Sequence, residues 1–191
     1  LFKEAVFVLK KFDIPMLQNA EEIIDDIDKI ILVDASDFGG LSDKIIIDKV
    51  VLMIDHRKIN DAGKFPNAES QIELVGSAAT LIAEKFFDSS IEISEKAAAL
   101  LFSAIISNTV NFQAYVTTDR DIKMAEWLKT KFPVPEGYIH DMFYDKSQFE
   151  KPIFDVIYDD LAEFTFNDKK IGIGQIEIIE ADNFIDRNIT E

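Results

Sequence analysis

Two short apolar runs end abruptly in carboxylates, and those ends are where this sequence could do chemistry. Lys29-Ile-Ile-Leu-Val-Asp34 is followed by Ala35-Ser36-Asp37, and Lys49-Val-Val-Leu-Met-Ile-Asp55 by His56-Arg57. If the runs are adjacent strands, Asp34, Asp55 and His56 converge on one crevice, because open parallel sheets bind ligands beyond the carboxyl ends of their strands. Carboxylates beside an imidazole suit a first-row divalent ion (Mn2+, Fe2+, Co2+ or Zn2+) better than Ca2+. A single Asp at a strand end is more often a turn former or helix cap. Two strands ending alike, one of them followed by a histidine, favour a site. The other histidine, His140, sits beside Asp141 in a mixed segment and is expected at the surface.

The elements that must position these groups read as α/β. Unbroken β-branched runs such as 29–34 and 49–55 are expected of strands buried on both faces of a parallel sheet. Leu1 to Lys11 is spaced as an amphipathic helix that Pro15 closes, and Glu21 to Asp28 reads as helix or turn with a solvated acidic face. Ile59 to Ser70 carries loop residues, and Ile72 to Val75 is a candidate short strand. Helices are predicted over Ala78 to Phe87, over the nearly all-apolar and therefore buried Ala97 to Ile106, and over Thr118 to Lys131. His140 to Ile157 reads as helical with a break at Pro152. Phe164 to Ile179 reads as two strands around an Asn-Asp turn.

Composition bounds the function. With 191 residues, 48% hydrophobic and 29% charged, the chain can bury a sizeable core. Its 20 basic and 36 acidic residues leave a net charge of −16, which argues against binding nucleic-acid duplexes through their phosphates. A small phosphate substrate remains compatible, because a bound metal supplies local positive charge. No cysteine is present, so disulfides and thiolate chemistry are out and a reducing, cytoplasmic setting is expected. No apolar run approaches the roughly 18 residues of a membrane span. Ser103 and Ser107 lie on a predicted buried helix without a nearby histidine base, so a serine nucleophile is unsupported. Gly76-Ser77 at a helix start reads equally well as a phosphate cradle or as a plain cap.

Four blocks carry a resemblance. Ile54-Asp55-His56-Arg57 after a buried strand resembles the Asp-His-His signature of the DHH phosphoesterase superfamily. Glu73-Leu-Val-Gly76-Ser77-Ala-Ala-Thr80 and Leu101-Phe-Ser103-Ala-Ile-Ile-Ser107-Asn108-Thr109 are similar to blocks of manganese-dependent (family II) inorganic pyrophosphatases. So is Phe164-Thr165 through Lys169-Lys170 to Ile176. The resemblance implies a two-metal hydrolase of phosphoanhydrides, acting on pyrophosphate or short polyphosphate, with Mn2+, Co2+ or Mg2+ as cofactor. By motif, Asp34, Asp55 and His56 would be metal ligands. Arg57, Gly76, Ser77, Asn108, Lys169 and Lys170 would face the substrate.

Several positions depart from that pattern. The second His of the signature is Arg57, which stays protonated and cannot ligate a metal. Asn108 stands where the family has an aspartate, and Ala35 where it has a histidine. No counterpart of the family's first His-and-Asp motif precedes Asp34, and the basic clamp of its second domain does not follow. The resemblance therefore implies a doubly wound, mostly parallel DHH domain over 1–160 that lacks its first strand. Residues 161–191 would be the linker and opening hairpin of a second domain. Either an N-terminal part is missing from this sequence, or a second copy, a partner chain or a rearrangement is expected to cover the open sheet. On this reading the chain is impaired or inactive, and loss of the metal is one way it would be so. The alternative is a degenerate, non-catalytic subunit for phosphate or nucleotide binding, or for assembly.

Overall fold

The computed structural model describes residues 2–149, 151–159, 161–174 and 176–188. The chain divides into two compact units, one of Val8–Pro135 and one of Leu1–Phe7 with Glu136–Glu191. In the first unit, β1 (Ile30–Val33), β2 (Val50–Asp55) and β3 (Glu69–Ile72) form a parallel sheet in the order β1-β2-β3. The pairings Val33 with Ile54 and Asp55 with Ile72 bring the carboxyl ends of the strands level. The strand ends that lead into Asp34 and carry Asp55 therefore lie side by side.

Neighbouring residues of β2 point to opposite faces, as strand geometry requires. Ile54 packs with Val75 and Leu81 of α3 (Ala78–Ser89), while Met53 packs with Leu32, Val50 and Phe65. β2 is thus buried on both sides. The same expectation fails for β1, whose Ile31 and Val33 are 58% and 41% exposed. Ile31 and Val33 share one face of β1 that the described residues leave uncovered, while Leu32 on the opposite face is buried. The predicted strand at 72–75 lies three residues earlier, at Glu69–Ile72. Pairing with β2 ends where β2 ends, at Asp55, which frees Leu74 to Gly76 to turn toward α3.

The helices of this unit follow their sequence signals. Ser77 caps α3, its side chain accepting from the Ala79 N–H. Ser94 caps α4 (Glu95–Asn108) through the Ala97 N–H. Ala98, Ala99, Phe102, Ile105 and Ile106 of α4 are buried, as the all-apolar pattern predicts. α5 (Asp119–Lys129) opens on Thr118, and Asp121 in its first turn is also buried. The acidic segment near residue 21 is a one-turn helix α2 (Ala20–Ile23) running into a 3-10 turn. The amphipathic helix α1 is Lys3–Lys11.

In the second unit, α6 (Tyr138–Lys146) and α7 (Ile153–Asp159) stand on either side of Pro152. β4 (Ala162–Phe166) and β5 (Lys169–Ile173) pair antiparallel around Asn167 and Asp168. Both turn residues have positive φ, 47° and 63°, the backbone that a two-residue hairpin loop demands. The strand reading past Ile173 does not hold. β5 stops there, and α8 (Ala181–Asn188) follows. Gln175 lies outside the described residues. His140 is at the surface, its side chain 61% exposed beside Asp141. Among the described residues no helix is long and apolar enough to cross a membrane.

Candidate functional site

The site grows from the last residues of β1 and β2. Asp34 continues the ladder, its N–H donating to the Ile54 carbonyl, and then enters the left-handed region with φ 55°. Asp tolerates that conformation better than most residues, because its short polar side chain bonds locally. The chain turns there and brings the buried Ser36 N–H to Asp55 Oδ2 at 2.9 Å. Asp55 Oδ1 accepts from the backbone N–H groups of His56 at 2.6 Å and Arg57 at 3.1 Å. Asp55 is fully buried. Burial by itself pushes its carboxyl up, but hydrogen bonds from Ser36 and from the His56 and Arg57 N–H groups outweigh it and hold the carboxyl below its ordinary range.

His56 is oriented from both sides. Its Nδ1 lies 2.9 Å from the Val75 carbonyl, and a carbonyl can only accept, so Nδ1 carries the proton. Nε2 then faces Asp34 Oδ1 at 3.4 Å. In a neutral ring, two acceptors face each other there, a contact that calls for a proton or a cation between them. The Asp34 carboxylate raises the His56 pKa above its ordinary value; partial burial opposes it, while the Val75 carbonyl and the Asp55 charge add to it. One oxygen each from Asp34 and Asp55 and one nitrogen from His56 lie within 4.8 Å of one another. This O,O,N set can hold a divalent ion, with the His56 ring steered by the backbone carbonyl behind it.

A pH prediction follows from the His56 geometry. Because the folded pKa is raised above the unfolded value near 6.5, the His56–Asp34 pair contributes its full stability below about pH 6.5. That contribution fades as pH rises through the folded pKa. Urea denaturation of the metal-free chain should therefore lose stability between mildly acidic and alkaline pH. His56→Gln should flatten the dependence; an unchanged pH profile in that variant would rule the pair out as its source.

Arg57 brings its own charge to the strand ends. Nη1 donates to Asp37 Oδ2 at 2.7 Å and Nη2 to the Asp34 carbonyl at 3.2 Å. Nε stands 3.7 Å from Asp34 Oδ1 and 3.9 Å from Asp55 Oδ1. Three carboxylates thus surround one guanidinium.

The chain is 35% identical to the manganese-dependent inorganic pyrophosphatase of Methanocaldococcus jannaschii, across 93% of this chain and 60% of that protein. A crystal structure described as a family II inorganic pyrophosphatase of Methanococcus jannaschii superposes with a TM-score of 0.74 at 33% identity, covering 97% of this chain and 64% of that one. The chain is a homologue of the family II inorganic pyrophosphatases. The corresponding enzyme of Methanothrix thermoacetophila is 33% identical across 80% of this chain and 50% of its own length. The chain thus spans half to about two thirds of the length of these relatives. No protein-family model matches it.

Against the pyrophosphatase homology, the remaining predicted residues fall as follows. Ser77 and Asn108 meet, the Asn108 side-chain amide donating to Ser77 Oγ at 3.2 Å. Ser77 is only two residues beyond Val75, the acceptor for His56, so both lie at the crevice end of α3 and α4. The Gly76 N–H donates to Asp121 Oδ2 at 2.9 Å. Lys169 and Lys170 are exposed on β5 in the other unit, with Lys170 Nζ 3.8 Å from Glu163.

Asp121 is the residue that sequence reading missed. Besides Gly76 it accepts from the Thr80 hydroxyl at 2.5 Å and from the Thr118 N–H and hydroxyl at 2.7 and 2.6 Å. Its place three residues after Thr118 is a helix-capping spacing, which signals a bond to the Thr118 N–H. Nothing local signals the reach to Gly76. Arg120 was also missed; it bridges Glu84, through 2.8 and 2.6 Å bonds, to Glu73 at 2.7 Å.

Proposed function

We propose that this chain carries the strand-end crevice of a phosphoanhydride hydrolase acting on pyrophosphate or short polyphosphate, with one metal seat in place of two. The observation that carries this reading is the position of Arg57. Asp34, Asp55 and His56 fit one Mn2+ or Co2+: the donors are of the right type, and His56 Nε2 is aimed at Asp34 with its other nitrogen satisfied. The relatives named manganese-dependent support the choice of ion. A second cation would need Asp34 and Asp37, and there the Arg57 guanidinium already stands. When bound, the metal supplies Lewis acidity and an acidified water.

The protein groups do the rest. Arg57 offers a planar fork of N–H donors matched to phosphate oxygens. Asn108 offers an amide in place of a carboxylate, which binds without adding negative charge beside the anion. Gly76 and Ser77 shape the approach to α3. With one metal, turnover is expected to be slow. The same Arg57 position also supports a second reading, a phosphate-binding module without catalysis.

Phosphate release from pyrophosphate and tripolyphosphate, measured with Mn2+, Co2+ and Mg2+, separates the two readings. Metal-dependent release supports the hydrolase, and saturable binding without release supports the module. Arg57→Ala is expected to weaken pyrophosphate binding about tenfold in calorimetry, the scale of one charge-assisted pair. Unchanged affinity in that variant would remove Arg57 from the substrate contacts.

A further inference from the structure

We propose that Asp37 is a latch on Arg57, holding its guanidinium inside the crevice until a phosphate group displaces it. This rests on the reading of Arg57 as a phosphate-binding residue. Asp37 is a fixed post: it precedes a 3-10 turn, and its Oδ1 accepts from the Gly40 N–H at 3.1 Å. That leaves Oδ2 for Arg57 Nη1, at 2.7 Å. On the other side the Arg57 main chain is held by Asp55 Oδ1, so only its side chain can swing. Both partners are reachable from solvent, with side chains 42% and 40% exposed.

A carboxylate and a phosphate oxygen want the same N–H donors of the fork. Asp37 is already tethered beside Arg57, so it competes as a ligand at high effective concentration. An anion that grips Arg57 through Nη1 competes directly with Asp37, and it does so against the negative charge of Asp34, Asp37 and Asp55. A pyrophosphate group, whose several oxygens can engage more than one arm of the fork, competes with Asp37 better than an anion with a single oxygen to offer. The latch thus raises the threshold for occupancy and favours polyanionic phosphate esters and anhydrides.

Asp37→Asn is the discriminating variant, because its side-chain carbonyl still accepts from Gly40 while the anionic oxygen facing Arg57 is gone. Asp37→Ser, which keeps a capping oxygen, serves as its duplicate. Pyrophosphate is titrated by calorimetry in EDTA into the parent chain, each single variant, Arg57→Ala and the Asp37→Asn/Arg57→Ala double variant. The expected result is binding about two- to fivefold tighter in Asp37→Asn and Asp37→Ser, in keeping with a half-exposed ion pair. That gain should vanish in the Arg57→Ala background, which isolates the pairwise effect. A gain of equal size without Arg57 would show that Asp37 acts only as a negative charge, and the latch would be wrong. No gain in either Asp37 variant, with Arg57→Ala still weakening binding, would overturn the latch alone. Unchanged binding in Arg57→Ala would overturn the reading beneath it as well.

Discussion

Replacing Gly76 by alanine is expected to cost about 3 kcal/mol of folding stability, through a methyl group that has nowhere to go. A Cβ at this position would lie 2.6 Å from Thr109 Cγ2 and 2.9 Å from Asp121 Oδ2. Thr109 is fully buried on the shoulder of α4, and Asp121 is fully buried with four donors around it. Neither can give way as a flexible surface side chain would. Overpacking of this kind costs roughly 1–3 kcal/mol. Pushing the Asp121 carboxylate off the Gly76 N–H adds about 1–3 kcal/mol for a strained buried bond to a charged group. In a domain of this size that corresponds to a fall in Tm of roughly 6–12 °C. Gly63 supplies the control, since nothing lies within 4 Å of its added Cβ. Gly63→Ala should stay within about 0.5 kcal/mol of the parent. Equal stability of the two variants in thermal melts would show that the Gly76 contact is not a constraint.

The second large effect is expected at the proposed metal seat, where two neighbouring substitutions should act in opposite directions. His56→Ala removes the nitrogen aimed at Asp34 and should weaken Mn2+ binding by about 100-fold or more, since loss even of a supporting partner costs 10–100-fold. Arg57→Ala removes a cation whose Nε lies 3.7 Å from the Asp34 carboxylate and 3.9 Å from that of Asp55. It should tighten Mn2+ binding, because the incoming ion no longer meets a like charge. Calorimetric titration of the metal-free chain with Mn2+ reads both. If His56→Ala binds as the parent does, the O,O,N seat is wrong. If Arg57→Ala binds more weakly, Arg57 supports the ion instead of excluding it.

Much of the architecture was legible locally. Runs of β-branched residues ending in Asp34 and Asp55 identified the two strands and placed their chemistry at the carboxyl ends. Ser77 and Ser94 marked helix starts, and Asn167-Asp168 marked the hairpin turn. These signals are carried within a few residues, by periodicity, caps and turn chemistry. The slip of β3 to Glu69–Ile72 came from a competing requirement, pairing with β2, that no local pattern encodes. The misreading of β1 has a similar origin: an apolar run looks the same whether one face of its strand is covered or both, and only the packing tells them apart.

The residue types alone determined that Asp34, Asp55 and His56 could gather at one place, because strand ends in a parallel sheet converge whatever the details. They also determined that Arg57 could not be a metal ligand, since a guanidinium stays charged. Only the tertiary structure decided what Arg57 does with that charge. Its partner Asp37 is 20 residues away, across the loop that leaves β1, and the two meet only once β1 and β2 are in register. The same holds for Asp121, 45 residues from Gly76, whose carboxylate reaches that glycine because α5 packs where the chain leaves β3. Such contacts depend on register and helix packing, which are properties of the folded whole, and no window of sequence contains them.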